Sequence, residues 1–243
     1  MKKRDALLPV VAVHGIGVGT DGTRAGFSKS LSTLVGAYGV PVRRVGEFEK
    51  PVVQIPEDAI IWEEALWERV NDPIDAATAA FLKLHFPGTP AAWLVPKILD
   101  LLGDVPLYRT TQGPKIRATV RKVIARHPGC IVVAHSLGSV IAVDVLNQAY
   151  KSGQGAGLSV SGLITLGSPL NLLKPKLPLT KAFPFRWYDC YHPSDLVHIG
   201  GNLNYEGVKP QRLDKKEPFT NAHTAYWHMR SIASIVYTMT TRA

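Results

Sequence analysis

The chain has 243 residues and no linker, internal repeat or low-complexity block, which indicates a single domain over residues 1–243. Its formal net charge is +9, but no element interleaves clustered basic residues with aromatic ones, which argues against nucleic-acid binding. Peripheral contact with an anionic lipid surface stays open. Cys130 and Cys190 share no metal-binding spacing with the histidines, so we expect no metal site and two free thiols, which fit a reducing compartment.

The first predicted element is a buried strand near the N-terminus. Residues 7–13 (LLPVVAV) are a continuous apolar run, typical of a strand buried on both faces of a parallel sheet. The basic residues before it imitate a signal peptide, but the run is too short for one. No segment has the length needed to span a bilayer, so we expect a cytoplasmic protein. A glycine-rich loop follows this strand.

Further strands and helices alternate along the rest of the chain. Continuous apolar runs and apolar residues at helical spacing predict these elements. The predicted strands are 58–67, 130–134, 160–170 and 185–197, and the predicted helices are 25–38, 113–127, 139–150 and 223–239. This alternation predicts an α/β fold with a mostly parallel central sheet and helices on both faces. In such sheets, functional groups collect at the C-terminal ends of the strands.

Ser136 lies between the buried strand at 130–134 and the buried helix at 139–150. Ala134 and Gly138, two residues before and two after it, are small. A sharp strand-to-helix turn that pushes a serine Oγ clear of the sheet requires small residues at these two places. The alternative is a structural serine on a tight turn, but the buried strand before and the buried helix after favour a nucleophile.

A serine nucleophile needs a base, and a carboxylate must orient that base. On this scaffold the acid follows the serine in the chain, and the histidine comes last. Asp195 is the predicted acid because it lies at the C-terminal end of the last clear strand. Asp189 lies inside that strand and faces a helix or the core, and Asp214 and Glu217 lie in a charged, solvated stretch.

His223 is the predicted base. It lies where a loop meets the start of the last predicted helix, and that loop can return to the edge of the sheet where Ser136 points. His192 and His198 flank Asp195 too closely, and His228 lies within the helix. His135 directly precedes the serine, but adjacent side chains diverge in such a turn, so it is not assigned as the base.

An oxyanion that forms at the site needs preorganised N–H donors. The first is the main-chain N–H of Leu137, directly after the nucleophile, and the second is that of Ile16, in the loop after the first strand. His14 and Gly15 are expected to shape this loop. A phosphate-binding loop is the weaker interpretation of GIGVG, since no Lys-Ser/Thr pair follows it.

Together these motifs resemble the α/β-hydrolase superfamily, specifically its lipase and carboxylesterase-like members. The matching segments span most of the chain in the expected order: VHGIG at 13–17, AHSLGS at 134–139, TLGSPL at 165–170, SDLV at 194–197 and NAHTAYW at 221–227. Ala134 in place of a glycine is similar to small bacterial lipases of the Bacillus type. The resemblance implies the α/β-hydrolase fold, the triad Ser136, Asp195 and His223, and ester hydrolysis through an acyl-enzyme. It departs at the N-terminus, where no segment matches the strands that usually precede the His-Gly strand.

Residues 68–112 are a predicted helical cap. They are rich in large apolar side chains and longer than an ordinary connection. A cap here would shape an apolar acyl pocket, and the alternative is that these helices cover one face of the sheet. Residues 171–185 form a crossover at the rim, where Leu170 and Leu172 either touch the substrate or pack the loop.

The resulting hypothesis is a serine esterase or lipase that needs no cofactor and acts on a small-molecule or lipid ester. A phospholipase, thioesterase, amidase or acyltransferase would use the same residues, because a fold alone selects no substrate. A binding module with slow turnover and a membrane-surface protein are the alternatives from other classes.

Overall fold

A computed structural model of the chain describes residues 7–15, 26–38, 42–45, 48–51, 60–66, 108, 112–151, 157–171, 173, 182–195, 197–198, 202–213 and 222–241. The strands in these residues are β1 (Val10–Val13), β2 (Val42–Val45), β3 (Phe48–Pro51), β4 (Trp62–Ala65), β5 (Cys130–His135), β6 (Val160–Leu166), β7 (Arg186–Tyr191) and β8 (Val208–Arg212). The helices are α1 (Lys29–Gly36), α2 (Gly113–Arg126), α3 (Leu137–Lys151) and α4 (Arg230–Thr240), and a 3₁₀ turn (Ala225–His228) precedes α4.

The described strands form one parallel sheet and one separate hairpin. The sheet has six strands in the order β4-β1-β5-β6-β7-β8, and β2 pairs with β3 in an antiparallel hairpin. Val13 pairs with Ala134, Ala134 with Thr165, and Thr165 with Asp189. Because these residues stand level across four strands, the segments that follow them all emerge at the same edge.

Alternate residues of the strands face two different layers of helices. Val11 and Val13 pack into a core with α2 and α3, whereas Val10 and Ala12 pack into a second core with α1 and α4. All four residues are fully buried, and the six residues of β5 are buried as well. Strands enclosed on both faces account for the continuous apolar runs in the sequence.

Individual side chains and one glycine mark the ends of the helices. Pro114 lies in the first turn of α2, and Arg126 lies in its last turn, where a cation favours the negative end of the helix. Gly129 then takes a φ of 75° and turns the chain into β5. At α1, the carboxylate of Glu64 accepts hydrogen bonds from the N–H and hydroxyl of Ser28, at 2.8 and 2.6 Å.

A parallel sheet with helices on both faces and a serine turn between β5 and α3 is an α/β-hydrolase-like fold, which confirms the predicted fold class. The structure differs from the sequence prediction at the last helix, because the chain is extended at Met229, between the 3₁₀ turn and α4. In the described residues, no helix combines the length and apolarity needed to cross a bilayer.

Candidate active site

Ser136 occupies the turn between β5 and α3 in a conformation that L-residues rarely adopt. Its φ is 54°, and it is the one non-glycine residue in the described part of the chain with a positive φ. Its N–H donates to the carbonyl of Leu166 at 3.0 Å, and its carbonyl accepts from the N–H of Ser139 at 2.9 Å. These bonds hold a strained backbone that presents the serine at the edge of the sheet.

The small residues around Ser136 allow the chain to approach β1. A Cβ atom on Gly138 would lie 2.3 Å from the carbonyl oxygen of His14 and 2.7 Å from that of Val13. A side chain at this position would therefore push α3 away from β1. Ala134 is fully buried in β5, and its carbonyl accepts a hydrogen bond from the hydroxyl of Ser139 at 3.0 Å.

The structure brings Ser136, His223 and Asp195 together in one hydrogen-bonded row. The hydroxyl Oγ of Ser136 lies 2.9 Å from Nε2 of His223, and Nδ1 of His223 lies 3.0 Å from each carboxylate oxygen of Asp195. With the proton on Nδ1, His223 donates to the carboxylate and accepts the serine hydroxyl proton at Nε2. This arrangement joins the turn after β5, the loop after β7 and the segment before the 3₁₀ turn.

The three side chains of this row are buried, and the charge of Asp195 is held by hydrogen bonds. Burial by itself raises the pKa of Asp195, but His223, the hydroxyl of Tyr226 and the N–H of Val197 outweigh that effect and lower the pKa to about 2. Asp195 is therefore a carboxylate at neutral pH and can stabilise a positive charge on His223.

Leu137 begins α3, and its N–H is one of the first N–H groups of a helix, for which the helix supplies no acceptor. Ile16, the other predicted oxyanion donor, lies outside the described residues. Gly15 is described, and a Cβ atom placed on it would lie 2.4 Å from Cβ of Ser136. The nitrogen Nδ1 of His14 donates to the carbonyl of Gly15, so the His14 ring is held against its own loop.

Two residues to which the sequence assigns no role in the site touch the row. The hydroxyl of Tyr226 donates to Oδ2 of Asp195 at 2.5 Å, and Nε2 of His135 donates to the main-chain carbonyl of His223 at 2.6 Å. Burial, followed by the proximity of His223, lowers the pKa of His135 to about 3, so its ring is neutral at ordinary pH. The aromatic end of NAHTAYW is the one sequence signal that could have pointed to Tyr226.

The other acids and histidines considered in the sequence are not members of the row. Asp189 and His198 form a separate buried pair, with Oδ2 and Nε2 2.8 Å apart. The N–H of His192 donates to the hydroxyl of Tyr226, and His228 is half-buried in the 3₁₀ turn. Asp214, Glu217 and Leu172 lie outside the described residues, and so does the 68–112 cap apart from Tyr108 and Gln112.

Tyr108, in the predicted cap, and Leu170, beside the predicted crossover, both pack into the core that contains α2 and α3. The hydroxyl of Tyr108 donates to the carboxylate of Asp144 in α3, and the Tyr108 ring is fully buried in the core on that face of the sheet. Leu170 is buried in the same core. In the described part of the chain, no three His, Cys, Asp or Glu side chains are grouped so that they could hold a metal ion.

No protein-family model and no curated protein matches the sequence. Among solved structures, the chain is similar to a pyrethroid hydrolase from Sphingobium faniae JZ-2, with 10% identity, a TM-score of 0.41, and coverage of 97% of this chain and 98% of the other. It is also similar to a proposed cell-surface hydrolase from Lactobacillus plantarum WCFS1, with 16% identity, a TM-score of 0.41, and coverage of 96% and 89%.

Proposed function

We propose that this protein is a serine hydrolase that cleaves carboxylic esters through an acyl-enzyme. The observation that carries the proposal is the row in which Oγ of Ser136, on a turn with φ 54°, lies 2.9 Å from Nε2 of His223. A serine hydroxyl is a weak nucleophile until an adjacent base takes its proton, and His223 lies where that base must be.

The first half of the reaction transfers the acyl group to the serine. Oγ of Ser136 forms a bond to the ester carbonyl carbon while its proton moves to Nε2 of His223. Asp195, 3.0 Å from Nδ1, stabilises the imidazolium that results. The N–H of Leu137, and that of Ile16 by the same proposal, donate to the oxyanion. When the oxyanion collapses, the bond to the alcohol oxygen breaks and the alcohol leaves with the proton from Nε2.

The second half of the reaction releases the acid. Water gives a proton to Nε2 of His223 as its oxygen attacks the acyl carbon, and the same N–H donors hold the second oxyanion. The bond between that carbon and Oγ then breaks, Oγ regains the proton, and the carboxylic acid departs. Each oxyanion donor in such a site contributes on the order of 10²–10³-fold in rate.

Aromatic rings pack beside the row on the face of the sheet that carries α1 and α4. Phe27 packs edge-on against Trp227 at 5.0 Å, and Trp227 lies 5.7 Å from His135 between ring centroids. Ser136 is 1% exposed, so the row is largely shielded from water. Apolar surroundings also strengthen the hydrogen bonds of the row, because few water molecules compete for them.

Labelling with a fluorophosphonate tests the hydrolase itself. The wild-type protein is expected to react covalently, and Ser136→Ala is expected to lose labelling completely. Ser161→Ala is the matched control, because Ser161 is an exposed serine at the opposite end of β6 and is not expected to react. Absence of labelling in the folded wild-type protein would refute the proposal.

A panel of p-nitrophenyl esters with increasing acyl length tests the substrate class. Activity that persists with long acyl chains and rises at a lipid–water interface indicates a lipase, whereas a preference for short chains indicates an esterase. Matched thioester and anilide substrates belong in the same panel. Hydrolysis of these, without hydrolysis of the oxygen esters, would overturn the ester assignment while leaving Ser136 as the nucleophile.

A further inference from the structure

Tyr226 joins the two parts of the chain that carry the acid and the base. It lies in the 3₁₀ turn, three residues after His223, and its side chain is fully buried. Its hydroxyl donates to Oδ2 of Asp195 at 2.5 Å and accepts from the main-chain N–H of His192 at 3.0 Å. One hydroxyl therefore ties the Asp195 carboxylate to the backbone three residues earlier in its own loop.

The carboxylate of Asp195 is fixed by a different donor on each oxygen. Oδ1 accepts from the N–H of Val197 at 2.9 Å, and Oδ2 accepts from Tyr226. Nδ1 of His223 lies 3.0 Å from both oxygens, between these two donors. A carboxylate that is anchored at both ends cannot rotate away from the imidazole, so its orientation does not depend on His223 alone.

Gly167 leaves the space in which these three side chains meet. Its φ is 52°, and a Cβ atom on it would lie 2.4 Å from Oδ2 of Asp195 and 2.7 Å from Cε2 of Tyr226. The same atom would lie 3.1 Å from Nδ1 of His223. A residue other than glycine would thus separate the acid from the hydroxyl and from the base.

We propose that Tyr226 is a positioning residue that orients Asp195 toward His223 and moderates how strongly the carboxylate stabilises the protonated imidazole. The proposal rests on the serine hydrolase function proposed above. A hydroxyl that donates to a carboxylate takes up part of its negative charge, so less of that charge is available to the imidazolium. Tyr226 therefore holds the carboxylate in line with His223 and weakens the attraction between that carboxylate and a protonated ring.

Two of the titratable groups around Tyr226, His135 and Cys190, stay neutral at ordinary pH. His135 faces His223 from β5 and is neutral above a pKa of about 3. Cys190 faces Tyr226 from β7, and burial followed by the charge of Asp189 raises its thiol pKa well above the ordinary value. His192 contributes its main-chain N–H to the hydroxyl. Burial, followed by the charge of Asp195, raises the pKa of Tyr226, so it remains a donor.

Tyr226→Phe removes the hydroxyl and keeps the ring in the core. The rate constant for fluorophosphonate labelling at its pH plateau is expected to fall by roughly tenfold to a hundredfold, as expected for the loss of one hydrogen bond to a charged group. The acidic limb of the pH profile is expected to move to higher pH. Tyr188→Phe is the matched control, since Tyr188 packs against the same core and its substitution should leave plateau and limb unchanged.

A second variant is expected to shift the acidic limb of the pH profile in the opposite direction. Incorporation of 3-fluorotyrosine at position 226 makes the hydroxyl a stronger donor with little change in shape. The acidic limb is then expected to move to lower pH. An unchanged limb and an unchanged plateau in both variants, whether or not stability changes, would show that Tyr226 is only a packing residue.

Histidine NMR separates a failure of this proposal from a failure of the proposed function. The titration of the His223 ring can be followed with ¹⁵N-labelled histidine even if the protein has no hydrolase activity. If wild-type protein is not labelled by the phosphonate but Tyr226→Phe still moves this titration to higher pH, the hydrolase proposal fails and the positioning role stands. If labelling occurs but the titration does not move, the positioning role fails.

Discussion

The ring of His135 donates a hydrogen bond from Nε2 to the main-chain carbonyl of His223 at 2.6 Å, and the two rings lie 4.6 Å apart. The residue before the proposed nucleophile thus holds the backbone of the proposed base. From the sequence, His135 is not expected to be the base, because its side chain diverges from that of Ser136. It does diverge, but toward the segment that carries His223.

His135→Phe is expected to slow fluorophosphonate labelling of Ser136 by about tenfold, the effect of one lost hydrogen bond. The phenyl ring fills the same space but offers no donor to the carbonyl of His223, so the base is held less firmly. His228→Phe is the control, since His228 lies in the neighbouring 3₁₀ turn and is half-buried. Equal labelling rates for wild type and His135→Phe would show that this hydrogen bond does not position the base.

The same histidine makes the stability of the fold depend on pH. Burial, followed by the proximity of His223, lowers the pKa of His135 from 6.5 to about 3. Between these values the unfolded chain binds a proton that the folded chain does not, so stability is lost as pH falls below about 6.5. From about pH 7 to about pH 5, His135 alone is expected to remove about 2 kcal/mol from the free energy of unfolding.

Urea denaturation at several pH values measures this dependence. His135→Phe lacks the titrating group, so its free energy of unfolding is expected to fall less steeply with acid than that of the wild-type protein. His228→Phe should follow the wild-type curve more closely, because its pKa is lowered from a half-buried position. Parallel curves for wild type and His135→Phe would contradict the assignment of a buried neutral His135.

The elements that the sequence predicted are those in which burial leaves a clear pattern. β1 and β5 are enclosed on both faces and therefore consist of apolar runs. β8, with the sequence VKPQR, was not predicted, because this edge strand is half-exposed and polar and contains a proline. The hairpin of β2 and β3 was missed as well, since charged residues interrupt both of its strands.

Chain order predicted the residues of the row, but their neighbours could not be predicted in the same way. Ser136, Asp195 and His223 each follow or precede an element with a clear pattern, so their order along the chain was sufficient. The contacts of Tyr226 and His135 depend on how the loop after β7 folds against the 3₁₀ turn. No local pattern encodes that geometry, because it arises from packing between segments distant in sequence.

The buried pair of Asp189 and His198 is expected to contribute to stability rather than to catalysis. Oδ1 of Asp189 accepts the hydroxyl of Thr165 at 2.7 Å, and Oδ2 is 2.8 Å from Nε2 of His198. Asp189→Leu leaves Nε2 of His198 buried without this acceptor, and the hydroxyl of Thr165 keeps only the carbonyl of Tyr188 at 3.5 Å. The substitution is therefore expected to cost about 3–5 kcal/mol of unfolding free energy. Urea denaturation measures this, with Glu63→Gln in a partly exposed ion pair as the control, at about 1 kcal/mol or less.

A double variant tests whether these two residues act as a pair. Asp189→Leu combined with His198→Phe removes the donor together with its acceptor, so it is expected to cost less than the sum of the two single substitutions. Costs that simply add would show that Asp189 and His198 contribute independently, with no interaction between them.

Gly138→Ala is expected to damage the turn that carries Ser136. The added methyl group would lie 2.3 Å from the carbonyl oxygen of His14, and neither α3 nor β1 can move without disturbing the core between them. Overpacking of this kind is expected to cost about 3 kcal/mol of unfolding free energy, and it should also slow labelling of Ser136 in the folded protein.

Gly157→Ala is the matched control for this substitution. Gly157 has a φ of 82°, but a Cβ atom there meets nothing within 4 Å, so only backbone strain of about 1–2 kcal/mol is expected, with no change in labelling. Comparison of the two variants by urea denaturation and phosphonate labelling therefore isolates the steric contact from the effect of replacing a glycine. If Gly138→Ala were no more harmful than Gly157→Ala, the close approach of α3 to His14 would not be what shapes the serine turn.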